Sequence, residues 1–523
     1  MCGITGYINL NGEPSSRAII ESMNRTLIHR GPDGEGYFTD GPVALGHTRL
    51  AVIDLSAAAT QPMLSNDRRY VLIYNGELYN FLELRNELEK KGVKFRTNSD
   101  SEVVLASYIQ WGSEAVKRFN GMFAFIVWDT IAKSLFMARD RYGIKPLYYA
   151  FQNGVLSFGS EIKALLAHPL FSARMDNEAL LEYLTFQNFF TDKTLFQDVK
   201  YFPAGHYAEF DLQTHRKALP LKQYWNYHFH PSDSKASANE YLEELTRLFE
   251  QAVTRQLVSD VEVGTYLSGG IDSGSITAVA SSHSPEMKSF TVGCDLRSAS
   301  GIEMSFDERP QAEALSYLCK TEHYEMVLKA GDLERSLPSI VNHLEEPRVG
   351  QSYPNYFASK LAGNFVKVVL AGTGGDELFG GYPWRYYRVA SSNNYDEYVD
   401  EYYRYWQRLI PNRSLQKVLQ PVWNDAQHVW TRDIFAGVLS QIDTPIKTPE
   451  DFVNASLYLE SKTFLQGLLS IEDKLGMAFS LECRVPFLDN DLVDFALQLP
   501  VQQKIRNLDS VVRVNENESG KKK

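Results

Sequence analysis

Three places in this 523-residue chain carry residue types that could do chemistry. The first is Cys2, directly after the initiator methionine. A thiolate, not a thiol, attacks a carbonyl, so a nucleophilic cysteine needs a base within reach. Loss of Met1, expected when a small residue follows it, would leave Cys2 with a free α-amine of reference pKa about 8. One residue would then supply nucleophile and base. The second place is LSGGIDSGS (267–275), set between an apolar run and a helix start. Successive N–H groups in such a turn form an anion nest at a helix N-terminus. The stretch lacks the GxxxxGK[ST] spacing, so it is not expected to be a kinase-type phosphate loop. The third is GTGGDELFGGY (372–382), a second Gly-rich loop that follows the strand-like KVVLA and carries Asp376 and Glu377.

The elements that must position these residues divide the chain in two. Up to residue 212, β-branched and aromatic runs such as YVLIYNGELYN, GMFAFIVWD, SLFMARDRYG, PLYYAF and GVLSFGS are bounded by Gly, Asn or Asp and predict strands. Two helices are predicted among them, one around Ser15 to Ile28 and one over FLELRNELEKKG with Gly92 as its stop. Residues 213–238 read as a linker, polar with Pro and Ser near its end. From 239 to 523 the pattern changes. YLEELTRLFEQAVTRQLV has helical spacing, and VEVGTYL, the Gly-rich turn, ITAVASSH and SFTVGC form a strand–loop–helix–strand unit of doubly wound type. The remainder is mainly helical and rich in Tyr and Trp.

Bulk composition narrows the partners. A hydrophobic share of 44% with 12% aromatics supports sizeable cores. The formal net charge is −12, so no nucleic acid partner is expected. No stretch approaches the roughly 18 consecutive apolar residues of a membrane helix, and no secretory leader is apparent, so no membrane association is expected. Four cysteines, Cys2, Cys294, Cys319 and Cys483, form no CxxC pair and no zinc spacing. A reducing, cytoplasmic location fits them.

MCGITGY, HRGPDGEG (29–36), HTRLAVIDLS (47–56), YNGELYN (74–80) and TNSDSE (97–102), in that order, resemble the class II glutamine amidotransferases, whose glutaminase domain is an N-terminal nucleophile hydrolase. The resemblance implies Cys2 as the nucleophile. Arg49 would fork onto the glutamine α-carboxylate, while Glu77 and Asp100 would receive its α-ammonium. The Asn75 side-chain amide and the Gly76 N–H would face the oxyanion. Ser268-Gly269-Gly270-Ile271-Asp272-Ser273 resembles the pyrophosphate loop of the ATP pyrophosphatases, which split ATP to AMP and pyrophosphate. That implies Mg2+ on Asp272 and Asp376, adenosine contacts at Leu267 and Val292, and a second backbone contact at Ala371 and Gly372.

The two halves in this order, through SLECRVPFLD (480–489), resemble the asparagine synthetases. The expected fold is α/β in two domains: an α/β/β/α sandwich of N-terminal nucleophile hydrolase type (1–212), then a doubly wound parallel-sheet nucleotide domain with a helical C-terminal part (239–523). The implied reaction consumes glutamine, ATP and aspartate, passes through an acyl-adenylate, and needs a protected passage for ammonia. A homodimer is left open. Two alternatives stay open as well. The same half-reactions could amidate a sugar acid or a peptide-like metabolite, or the C-terminal half could have lost synthesis while the glutaminase persists.

Two departures qualify the resemblance. Asparagine synthetases often carry Ser-Gly-Glu-Gly in the second loop, its Glu proposed as the base for attacking ammonia, whereas this chain has Ala371-Gly372-Thr373-Gly374. Threonine cannot act as a carboxylate base. Asp473 and Lys474 are the acceptor-side or phosphate-side candidates, against an exposed helical ion pair as the plainer reading. Relatives also continue into a helical segment with a Lys-x-x-Leu-Arg element near the pyrophosphate, whereas this sequence reads NENESGKKK at its end.

Overall fold

The computed structural model describes residues 1–214, 218–231, 236–295, 307–348 and 352–505; parts of the predicted linker and the NENESGKKK stretch lie outside the described residues. The amino-terminal half is built on two six-stranded sheets. In spatial order the first runs Val199–Tyr201, Tyr148–Gln152, Val155–Gly159, Cys2–Asn9, Val43–Arg49, Gly34–Asp40. The second runs Leu221–Gln223, His206–Asp211, Ser134–Arg139, Gly121–Asp129, Tyr70–Leu78, Met63–Leu64. All neighbouring pairs in these two sheets are antiparallel.

Period-two alternation sends one set of side chains from each strand to either face. Ile4, Leu45 and Phe158 of the first sheet meet Ile73, Ile126 and Trp128 of the second in a common core. The opposite face of the second sheet (Leu72, Tyr74, Phe125) packs on the helices Phe81–Lys90 and Asp100–Trp111. The opposite face of the first (Tyr7, Ala44, Tyr148) packs on Arg17–Arg25 and Ile162–Leu166. The result is the expected α/β/β/α sandwich. Burial on both faces explains why Gly121–Asp129 is buried at every position and reads in sequence as a continuous apolar run. The helix Asp100–Trp111 was not among the expected elements; Ser99 caps it by accepting from the Ser101 N–H.

The second half holds a five-stranded parallel sheet, ordered Glu322–Leu328, Lys288–Cys294, Val263–Tyr266, Val368–Leu370, Glu482–Arg484. Helices Ala238–Gln256 and Ile271–His283 cover one face, and Ser352–Ala362 and Phe464–Met477 the other. Strand order reverses between Val263–Tyr266 and Val368–Leu370. In such sheets ligands bind beyond the carboxyl ends of the strands at that reversal. The first helix opens with a reciprocal cap between Ser237 and Glu240. Among the described residues, no helix is long and apolar enough to cross a membrane.

One apolar cluster crosses the boundary between the halves, joining Met1, Leu50, Tyr79 and Tyr142 to Tyr386, Leu475 and Val485. Within the sandwich, Ile126 is fully buried between the sheets. Ile126→Ala is expected to cost about 2–5 kcal/mol, seen as a lower urea midpoint for the amino-terminal unfolding transition with an unchanged slope.

Candidate functional site

Cys2 opens an inner strand whose partner Val43–Arg49 ends on Arg49, so the register places Cys2 opposite Arg49. The Cys2 N–H donates to Asn75 Oδ1 at 3.0 Å. That bond orients the Asn75 amide, whose Nδ2 is buried with no partner among the described residues. Gly76 follows in the same strand, where a Cβ would collide with the Met122 carbonyl. Burial pushes the Cys2 thiol up, opposed by the amino-terminal charge and the Leu50 N–H. Arg49 is buried, and its guanidinium donates to the carbonyls of Ser56, at 2.7 Å, and Asp54.

Asp100 accepts from the Tyr74 hydroxyl at 2.9 Å and the Leu78 N–H at 3.0 Å. Burial pushes the Glu77 carboxyl well up, and Asp100 reinforces the shift. The opposing charge is Arg484, 3.3 Å from Glu77 and contributed by the other domain. Cys2 and Arg49 on paired strands of the first sheet, Asn75, Gly76 and Glu77 on one strand of the second, and Asp100 at the start of the helix Asp100–Trp111 are thus brought to a side of the sandwich that faces the parallel-sheet domain.

The second centre is a cavity of about 1210 Å3 at the carboxyl ends of the parallel strands. Leu267, Ser268, Gly270, Asp272 and Ser273 line it from the first loop, Val292 from the neighbouring strand, and Ala371, Gly372 and Asp376 from the second loop. Gly269 is not part of the wall; its N–H donates to Glu308 Oε2 at 3.1 Å. The two loops touch. The Asp272 carboxyl accepts from the Asp376 N–H, and a Cβ at Gly375 would overlap that carboxyl, so the second loop must be glycine there. Burial pushes Asp272 up to about 7, and the facing Asp376 charge adds to the shift. Burial raises Asp376 as well. A divalent cation shared by both carboxylates would offset that cost. Mg2+ suits such a pair because it takes one or two carboxylates plus phosphate oxygens and keeps several waters. Among the described residues no group of three or more ligating side chains is placed to hold a metal alone.

Asp473 and Lys474 require a correction: neither lines this cavity. Asp473 is buried 2.8 Å from Arg30 and 3.3 Å from Lys145, both of the glutaminase-like half. Lys474 is buried against Glu345 at 2.7 Å and donates to the Leu344 carbonyl at 3.0 Å. They are ion-paired, as the plainer reading held, but inside the protein rather than on its surface. The preceding residue, Glu472, does line the cavity, and so does Lys504. Sequence reasoning passed over both. Lys504 Nζ is buried 4.8 Å from the Phe229 ring centroid with no hydrogen-bond partner among the described residues, and burial lowers it to about 7.

Two residues connect the centres. Arg30 Nε donates to the Cys2 carbonyl at 3.2 Å while its NH2 meets Asp473, whose neighbour in the chain is Glu472 on the cavity wall.

Comparison with known proteins bears on both halves. A family model described as a glutamine amidotransferase domain matches residues 1–225, and one described as asparagine synthase matches 244–521. Asparagine synthetase [glutamine-hydrolyzing] 3 of Bacillus subtilis is 34% identical, covering 97% of this chain and 82% of that protein. The chain belongs to the glutamine-hydrolysing asparagine synthetase family. Asparagine synthetase [glutamine-hydrolyzing] 1 of the same organism is 33% identical with the same coverage, and a putative asparagine synthetase of Mycobacterium bovis is 33% identical over 97% of this chain and 83% of that protein. As a member of this family the chain is a glutamine-dependent amidotransferase of the ligase class, with its two family domains in the order in which the two centres occur.

Removing one partner from a buried ion pair leaves an uncompensated charge. Asp473→Ala, which takes the carboxylate from Lys145 and leaves Arg30 with Glu161 alone, is therefore expected to destabilise the chain by about 3–5 kcal/mol, measured as a fall in the urea midpoint.

Proposed function

We propose that the chain forms L-asparagine from L-aspartate, glutamine and ATP, releasing glutamate, AMP and pyrophosphate by way of an aspartyl-adenylate. The observation that carries this reading is the short physical connection between the two centres, from Cys2 through Arg30 and Asp473 to the cavity wall at Glu472. The printed names of the relatives support the same substrates.

In the amino-terminal half, Cys2 attacks the glutamine side-chain amide once its α-amine is free to take the thiol proton. The unpartnered Asn75 Nδ2 and the Gly76 N–H stabilise the tetrahedral oxyanion. Arg49 takes the substrate carboxylate, and Glu77 with Asp100 takes the ammonium. Arg49 must exchange its bonds to the Asp54 and Ser56 carbonyls, fully or in part, to do so.

In the carboxyl-terminal half, Leu267 and Val292 flank the adenosine, Ala371 and Gly372 give it backbone contacts, and Ser268–Ser273 cradles the phosphates at the start of the helix Ile271–His283. Mg2+ on Asp272 and Asp376 would neutralise phosphate charge and assist departure of pyrophosphate. Lys504 supplies the phosphate-side cation. Ammonia released at Cys2 travels across the domain boundary, where water would otherwise convert it to ammonium.

Product analysis of the purified protein with glutamine, ATP, Mg2+ and aspartate tests the proposal. Asparagine, AMP and pyrophosphate in equal amounts are expected. Pyrophosphate exchange elicited by another acid but not by aspartate would overturn the choice of acceptor. Cys2→Ala is expected to abolish glutamine hydrolysis yet leave ammonia-driven synthesis, and Asp272→Ala to do the reverse.

Lys504 yields a further prediction through its lowered proton affinity. A lysine near 7 is largely neutral at pH 8, and a phosphate beside it raises its pKa. Nucleotide binding at pH 8 should therefore take up close to one more proton in the wild type than in Lys504→Met. Calorimetry in buffers of different ionisation enthalpy measures that difference.

A further inference from the structure

The second loop of this chain carries Thr373, which has no carboxylate, between Gly372 and Gly374. The structure shows what stands beside that threonine. The Thr373 side chain stands beside the carboxylate of Glu472, on the helix Phe464–Met477, and favours its ionised form; both residues line the cavity. One carboxylate oxygen, Glu472 Oε2, is buried with no hydrogen-bond partner among the described residues. A buried carboxylate oxygen without a donor is costly, and in a native protein it calls for a functional account.

The location of Glu472 is informative too. Its chain neighbour Asp473 is held by Arg30 and Lys145 from the glutaminase half, so Glu472 sits where the cavity meets the domain boundary. In the proposed reaction, ammonia released at Cys2 would approach the cavity from this side. Resting on the reaction proposed above, we infer that Glu472 is the general base that deprotonates the attacking ammonia, replacing from a helix the carboxylate that Thr373 does not supply from the loop.

The ammonia lone pair forms the new C–N bond at the acyl carbon, and the carbonyl π pair moves to oxygen. Nitrogen, now positively charged, passes one proton to the Glu472 carboxylate. Collapse of the tetrahedral species restores the carbonyl and expels AMP with the electron pair of the broken C–O bond. The neutral amide leaves, and Glu472 returns its proton to solvent.

The surroundings of Glu472 suit this task. Burial pushes its carboxyl up to about 7, with Asp473 adding to the rise and the Thr373 hydroxyl and Lys145 opposing it. The other ionisable groups facing it are Tyr266, from the central strand, and the Cys483 thiol, from the edge strand. A base with proton affinity near the working pH is partly ionised and still strong enough to take a proton. Thr373 then has a positioning role, fixing one oxygen of the carboxylate.

The test separates the half-reactions in Glu472→Gln, which keeps side-chain size and the Thr373 contact. Aspartate-dependent exchange of pyrophosphate into ATP is expected to persist within about threefold of wild type. Amide formation from ammonium chloride is expected to fall by about 10²–10⁴. In rapid-quench measurements at constant free ammonia, the wild-type amide step should lose rate as pH drops below about 7, and Glu472→Gln should lose that limb. Moving the carboxylate to the loop, in Thr373→Glu combined with Glu472→Gln, should restore at least a tenth of the wild-type rate. Amide formation within threefold of wild type in Glu472→Gln, or exchange that falls in parallel with it, would overturn the assignment of Glu472 alone. Absence of exchange in the wild type would overturn the adenylate reading and this inference together.

Discussion

A set of buried ion pairs across the domain boundary holds the two centres in relation to each other. Glu482 pairs with Arg484, which in turn reaches Glu77, and before Met1 is removed Glu482 also accepts from its ammonium at 2.7 Å. Asp473 joins Arg30 and Lys145. Glu345 accepts from the Ile162 and Lys163 N–H groups, and Glu346 from the Leu195 N–H. Charges removed from water recover the cost of desolvation only when geometry and hydrogen bonding are good. An apolar boundary could slide or rotate with little penalty, whereas these contacts are directional. The proposed reaction demands such a fixed relation, because in it the nucleophile made at one centre must reach the electrophile made at the other.

The parallel sheet contributes its own constraint. The two Gly-rich loops leave adjacent strands at the point where strand order reverses, so their backbones must approach within contact distance. The Asp272 carboxyl against Gly375 is the tightest part of that approach. Gly374 precedes the short helix Gly375–Phe379 at φ +104°, a conformation that a side chain would strain. These glycines bring Asp272 and Asp376 face to face, and burial raises the proton affinity of both.

Much of this was legible from local sequence. Tyr70–Leu78, Gly121–Asp129 and Lys288–Cys294 coincide with predicted runs because apolar patterning and turn residues are properties of neighbouring positions, whereas Ile271–His283 contains the predicted ITAVASSH but starts earlier, taking in the last residues of the Gly-rich turn. The α/β class and the gathering of the motif residues at two places followed from ordered motifs. What sequence could not supply was direction. Asp473, Lys474 and Glu472 are successive residues of one helix, so each points about 100° from the next. Spacing alone cannot say which of the three looks into the cavity and which toward the other domain. The pairing of Glu77 with Arg484, 407 positions later, likewise has no local signature. Lys504 was missed for a similar reason: a lysine in a short polar stretch reads as solvated until the fold buries its amine.

The edge strand Glu482–Arg484 shows how little chain can carry such a boundary. Alternation turns Glu482 and Arg484 toward the amino-terminal half, while Cys483 lies between them in the core with Phe290 and Leu481. Its pairing with Val368–Leu370 is only three residues long. Adding or deleting one amino acid just ahead of it would exchange the two faces, driving two ionised groups into an oily interior and presenting a thiol to the neighbouring domain. Evolution can therefore vary side-chain bulk here more freely than it can vary the residue count, and the spacing between the cavity-wall helix and this strand is under tighter restriction than the composition of either.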